Sequence, residues 1–261
     1  EIGIASDFTC VDNMSVARAV LTERAKHDLK SVAKEYGISF EHENSGEEKA
    51  SVVAESFRRF VHELRKQDIF TLEALNKMTA SSIEAIRKLP SYHIIILARN
   101  EMGRRALYKL VSESHVNYYY RRPRIPKSLL DGLRENLIIG SACEAGELYQ
   151  SILLGKSDEE IEKRAEDYDY LEIQPLGNNE FLVREGRVPD REYLKDLNRK
   201  IVQLGEKLNK PVVATCDVHF MDPQDEIYRR ILQAGQKYDD ADEQAPLYLR
   251  TTEEMLEEFS Y

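Results

Sequence analysis

The sequence predicts an α/β protein in two parts: a helical stretch to about residue 90, then strands alternating with helices. Three observations lead there. Apolar residues recur at helical spacing through the first third of the chain. From His93 onward, short continuous apolar runs rich in β-branched residues replace that rhythm. Amphipathic segments long enough for helices lie between those runs, a pattern of βα units and a mostly parallel sheet.

Val16, Ala17, Val20 and Leu21 mark the first helix. Leu29, Val32 and Ala33 mark the second, which Gly37 stops. A third runs over 48–66 with Val52, Val53, Phe57, Phe60, Val61 and Leu64 inward. Shorter helices follow at 71–78 and 81–89, and Pro90 ends the latter. The runs 93–98, 137–139, 170–173 and 212–215 read as strands buried on both faces. Helical patterns occupy 101–114, 144–154, 159–167 and 192–208, with another helix near 225–233. After an acidic linker at 238–244, Thr251 and Glu254 form a capping box for a last helix.

Composition narrows the function classes. The chain has 261 residues, 42% hydrophobic and 32% charged, enough to bury a full core. A net charge of −10 argues against a surface-wide grip on nucleic acid, because Lys and Arg supply that affinity, and leaves room only for a local basic patch. Cys10, Cys143 and Cys216 are too few and too widely spaced for a disulfide framework, which points to a reducing, cytoplasmic setting. No run reaches the apolar length of a membrane span. The chain opens at Glu1 rather than Met, as an excised segment would. There is no Gly-rich phosphate loop, nucleophile elbow or paired Cys-x-x-Cys, so a P-loop NTPase, an α/β-hydrolase and a zinc finger lack their signatures.

Candidate chemistry gathers at predicted strand ends, where open α/β sheets place their sites. Asp217 and His219 follow the run 212–215 two residues apart, so extended backbone would point both the same way and offer half of a divalent metal site. A hydrogen-bonded pair tidying a loop is the plainer alternative. Cys143 closes the second run as a thiolate candidate or a small buried hydrophobe. In the same segment Ser141 and Glu144 can start a helix as N-cap and capping box. His93 opens the first run and, taken singly, reads as a core histidine. Together His93, Cys143, Asp217 and His219 supply the imidazole, thiolate and carboxylate donors that zinc or manganese takes. His93 starts its strand rather than ending it, so it joins the others only if that strand enters the sheet antiparallel.

Residues 118–127 interleave Tyr118, Tyr119 and Tyr120 with Arg121, Arg122, Arg124 and Lys127. The plainer reading is an exposed, Pro-stiffened connection. The functional one is contact of Arg121, Arg122, Arg124 and Lys127 with nucleic acid, by stacking and phosphate pairing. The charge runs 41–49 and 239–243 read as solvated loops.

At these residues the chain resembles PolC-type DNA polymerases. The segments NEMGRRALYKLVSESHVNYYYRRPRIPKSLL, LIIGSACEAGELY, YDYLEIQP, LGEKLNKPVVATCDVHF and YLRTTEEML resemble, in order, the second half of that family's PHP domain. The resemblance implies a distorted α/β barrel over 79–261, with metals clustered at one mouth. It maps His93, Cys143, Asp217 and His219 onto metal ligands, with Glu147 a weaker neighbour. The family's remaining ligands include a His-x-His strand, which does not occur in this chain. VDNMSVARAVL and HDLKSVAKEYGISFEHENSGEEKASVVAESF resemble the last third of the DnaQ-like 3′–5′ exonuclease inserted in the same domain, giving a helical remnant over 1–78. There Asn44 replaces the motif's His and Lys49 its Asp. Asn cannot act as the general base and Lys cannot ligate magnesium, so an inactive exonuclease is expected.

The resemblance implies a mainly structural segment of a replicative DNA polymerase with a partial zinc or manganese site, magnesium serving the parent polymerase. Its partners would be DNA through the parent enzyme, the remaining polymerase domains and other replisome proteins, with no membrane. A metal-dependent phosphoesterase or 3′–5′ exonuclease using the PHP site, and a non-catalytic protein-interaction module, are the alternatives.

Overall fold

The computed structural model describes residues 11–24, 26–42, 45–81 and 83–261. Cys10 and Asn44 lie outside the described residues. In chain order the helices α1 (Asn13–Val20), α2 (Leu29–Glu35), α3 (Gly46–Arg65), α4 (Leu72–Ser81) and α5 (Ile83–Lys88) precede strand β1 (Ile95–Ala98). Then come α6 (Glu101–Val116), α7 (Lys127–Asp131), β2 (Leu137–Gly140), α8 (Glu147–Leu153), α9 (Asp158–Ala165) and β3 (Leu171–Ile173). The chain continues through α10 (Glu180–Arg184), α11 (Arg191–Leu208), β4 (Val212–Ala214), α12 (Glu226–Gly235) and α13 (Thr252–Glu258). Among the described residues no helix is long and apolar enough to cross a membrane.

The chain divides into two compact units: residues 1–91 with 108–132, and residues 92–107 with 133–261. In the first, Asp12, Asp28 and Ser45 cap α1, α2 and α3 with side-chain oxygens, as free helix N-termini require. Val16, Ala17, Val32, Phe60 and Leu64 form its core. Phe60 meets Tyr36 edge-on, ring centroids 5.7 Å apart. Of the residues expected inward on α3, Val52, Phe60 and Leu64 are buried, whereas Val53 and Phe57 are exposed. A single helix face cannot cover both sets. The expected loop at 41–49 ends early: Ser45 caps α3, so Lys49 lies in its first turn.

In the second unit, β1 pairs antiparallel with β2, a Gly140–Tyr170 bridge joins β2 to β3 in parallel, and β3 pairs parallel with β4. Among the described residues the expected mostly parallel sheet is instead two two-stranded pieces, one antiparallel and one parallel, and the antiparallel entry of β1 brings His93 beside Cys143. The expectation that all four strands are buried on both faces fails for β1 and β4: Leu97 is 47% and Val213 40% exposed. β2 and β3 hold the core, with Leu137, Ile139 and Leu171 fully buried. Helix α11 crosses β3 and β4 and packs on α8 and α9 through Leu194, Leu197, Ile201 and Leu204. Gly205 permits that approach, since a Cβ there would stand 2.3 Å from Val212 Cγ2.

One local expectation is corrected. Ser141 does not start a helix. Its hydroxyl accepts the Glu172 N–H (2.9 Å), Ala142 adopts a left-handed backbone (φ 61°), and α8 begins only after Gly146. The 239–243 run is the exposed loop expected, with Arg230 pairing with Asp242 and Arg184 with Glu243 at its surface. At the tail, Thr251 and Glu254 form both halves of the expected capping box on α13.

Candidate metal centre

The loop 141–146 leaves β2 and folds back on itself. Gly146 N–H donates to Cys143 O (2.9 Å), and a Cβ on Gly146 would stand 2.2 Å from Ser141 O, so only glycine closes the turn. The residue before the reversed strand completes the arrangement. His93 N–H donates to Ala145 O (3.0 Å) and bridges Gly146 in parallel. This brings His93 Nδ1 within 3.4 Å of Cys143 Sγ. Two donors on one tetrahedral zinc, at bond lengths of about 2.1 and 2.3 Å, would stand about 3.6 Å apart. The pair therefore has the spacing of two ligands on one ion.

Burial, then the Glu144 charge and that of Asp217 among lesser causes, push the Cys143 thiol up to about 12. A thiol so disposed is inert as a free nucleophile, and a cation would be needed to ionise it.

Asp217 and His219 do not lie on extended backbone as expected. Asp217 sits in the left-handed region (φ 53°), which breaks the strand alternation. Local bonding holds them together instead. His219 Nδ1 is 2.8 Å from the Asp217 carbonyl, which makes it the N–H donor and leaves Nε2 with its lone pair, and it is 3.9 Å from Asp217 Oδ1. His219 N–H donates to Leu247 O (2.8 Å), fixing the segment from outside the sheet. The structure thus joins His93 to Cys143, and Asp217 to His219. Among the described residues no three His, Cys, Asp or Glu side chains stand close enough to hold one ion together. Glu147, the weaker candidate, opens α8 and pairs with Arg164 on α9.

Sequence reasoning missed Glu172. This β3 carboxyl is 6% exposed and accepts the Thr215 hydroxyl (2.8 Å) and the Gln174 amide (3.4 Å). Burial raises its pKa, the Thr215 bond opposes, and the nearby Asp217 charge adds to the rise. An acidic residue inside an otherwise apolar strand run was the available signal. Thr215 N–H donates to Ile173 O (3.1 Å), so Glu172 braces the strand that delivers Asp217.

In the first unit, Arg121 and Arg124 lie over the Tyr120 ring at 5.6 and 5.4 Å, and Arg122 is exposed. Lys127 opens α7, after the loop that holds them.

The sequence profile of the PHP domain matches residues 8–175. The chain is 52% identical over 255 residues to DNA polymerase III PolC-type of Clostridium perfringens (strain 13 / Type A), covering 96% of this chain and 17% of that protein. It is 43% identical over 261 residues to the protein of that name from Caldanaerobacter subterraneus subsp. tengcongensis, covering 100% of this chain and 19% of the relative. Against that of Bacillus subtilis (strain 168) it is 38% identical over 254 residues, covering 96% and 18%. The chain spans less than a fifth of the length of these curated relatives. By the extent of the profile match, and with the sheet ends assembled as described, the chain belongs to the PHP domain family.

Proposed function

We propose that this chain serves as a structural segment of a replicative DNA polymerase of the PolC type and carries part of a divalent metal centre. The similarity over nearly its whole length to DNA polymerase III PolC-type supports the first half. The 3.4 Å approach of His93 to Cys143 carries the second. Residues 1–78 stand in this proposal as the inactive exonuclease remnant, with Asn44 and Lys49 at the motif positions. Residues 79–261 are the PHP part.

His93 and Cys143 would hold the ion, with Asp217 and His219 as the further donors; zinc and manganese both accept this set. A bound ion would supply Lewis-acid polarisation of a phosphate ester. The chain's own contributions are positional. The Gly146 turn presents the thiol, the Asp217 carbonyl fixes the His219 tautomer, and Glu172 with Thr215 keeps the end of β4 in place.

Two measurements test this. Deleting the matching residues from a full-length PolC-type relative should lower folding yield and polymerisation together; unchanged values would defeat the structural role. Metal analysis of the purified chain, refolded with zinc or manganese supplied, should find bound metal that Cys143→Ser diminishes. No retained metal would defeat the centre.

A further inference from the structure

We infer that Arg18, Arg121, Arg122 and Arg124 form a phosphate-binding site for the backbone of a single nucleic-acid strand, with Tyr119 beside them as a stacking surface. The site lies within the first unit and shares no residue with the candidate metal centre, so it goes beyond the function proposed above.

The arginines are held in place by the fold. Arg87 Nε on α5 donates to Asn117 O (2.6 Å), and Arg124 Nη1 donates to Leu89 O just past the same helix. These two bonds pin residues 117–124 along α5, which packs against α1, the helix that carries Arg18. Tyr120 organises the turn. Its N–H donates to Arg122 O (3.1 Å), its ring lies under Arg121 and Arg124, and Arg121 takes a left-handed backbone (φ 62°) that turns the chain between them.

The charges are gathered without acids. Burial first, then the charges of Arg122, Arg18 and Arg121, push the half-buried Arg124 guanidinium below the usual arginine range. Among the described residues no carboxylate forms an ion pair with any of the four. Asp12, which feels the Arg18 charge, has its oxygens occupied by Ser15 and the Met14 N–H as the cap of α1. In a chain of net charge −10, four clustered guanidinium groups with no anion among them are the local exception. Planar, multidentate donors of this kind suit phosphate oxygens.

The neighbouring ring favours a strand over a free anion. Tyr119 is half exposed, stacks loosely on His115 (6.3 Å between centroids) and points its hydroxyl back to Arg121 O (3.3 Å). An exposed aromatic next to backbone-neutralising cations is the arrangement that holds unpaired bases.

The test is anisotropy of a labelled 20-nucleotide oligothymidylate titrated with the chain in EDTA, at several salt concentrations. EDTA keeps the metal centre out of the outcome, so failure here leaves the proposed function standing. The native chain should bind with a clear salt dependence. Arg121→Glu with Arg122→Glu, both exposed and checked by circular dichroism, should weaken binding about tenfold and flatten the salt slope by about 1.4, two phosphates at about 0.7 each. Tyr119→Ala should weaken binding at nearly unchanged slope, and Arg230→Glu in the second unit should change neither. No strand binding by the native chain, or native-like binding by the double variant, overturns the inference. So does arginine-dependent broadening of the phosphorus signal of inorganic phosphate without strand binding, which would make this a free-phosphate site.

Discussion

Cys143 Sγ and His93 Nδ1 stand 3.4 Å apart across 50 residues of sequence, joined by a turn that only Gly146 can close. The thiol in this pair is pushed up to about 12, burial acting first and Glu144 next. At pH 8 its thiolate fraction should fall from about a tenth, for a thiol of model value 9.0, to about a ten-thousandth. Alkylation by iodoacetamide in EDTA, followed by peptide mass mapping, should therefore leave Cys143 nearly unlabelled in the folded chain and label it readily in urea. Ready labelling of the folded chain would contradict the burial described here.

Gly146→Ala forces a methyl group against the Ser141 carbonyl, which must move. The expected cost is about 2 kcal/mol, in the range of a forced backbone shift. Urea midpoints of variant and native chain check it. Gly186→Ala, where nothing lies within 4 Å of the added Cβ but φ is +66°, measures backbone strain without the clash and should cost less.

Asp169 supplies a pH dependence. Burial raises its pKa, but the Arg134 bond (2.6 Å) and the Ile139 N–H (2.6 Å) outweigh this, and the net shift is downward. A carboxyl depressed in the folded state adds stability above its unfolded pKa and loses it as pH falls through the folded value. Asp169→Asn should accordingly destabilise the chain at pH 6, and the gap to the native protein should close as pH drops below about 4. Thermal or urea midpoints of both proteins from pH 6 to pH 2.5 give the comparison. A gap that stays constant would remove Asp169 as the cause.

Glu172 separates two kinds of loss. Glu172→Gln keeps an acceptor for the Thr215 hydroxyl and should be tolerated. Glu172→Ala leaves the Thr215 hydroxyl proton without its acceptor and the Gln174 amide with only its bond to Thr215, and should cost about 1–3 kcal/mol. Because Thr215 ties β4 to β3, the Ala variant should also weaken metal uptake where the Gln variant does not. Equal uptake by the two would confine Glu172 to stability.

The helices and strands were readable because their signals are periodic. α1, α2 and the four strands fall on the apolar runs that announced them, and Thr251 and Glu254 announced the last cap. What escaped depended on backbone geometry that letters do not carry. Extended spacing at Asp217 and His219 gave way to a left-handed residue, and a helix start at Ser141 gave way to a hydroxyl that accepts the Glu172 N–H of β3. Solvent exposure of Leu97 and Val213 was equally invisible, since apolar runs look alike in central and outer strands. The pairing of His93 with Cys143 followed from strand direction, which the sequence could state only as a condition.

The reversed strand has one more consequence. Because β1 runs against its neighbour, His93, which precedes it, arrives beside Cys143, which follows β2. Each of the two side chains thus hangs on its own short piece of chain. A substitution at His93 therefore leaves the turn that presents Cys143 intact, and one at Cys143 leaves the entry of β1 as it is, so the two side chains can change independently over an unchanged backbone.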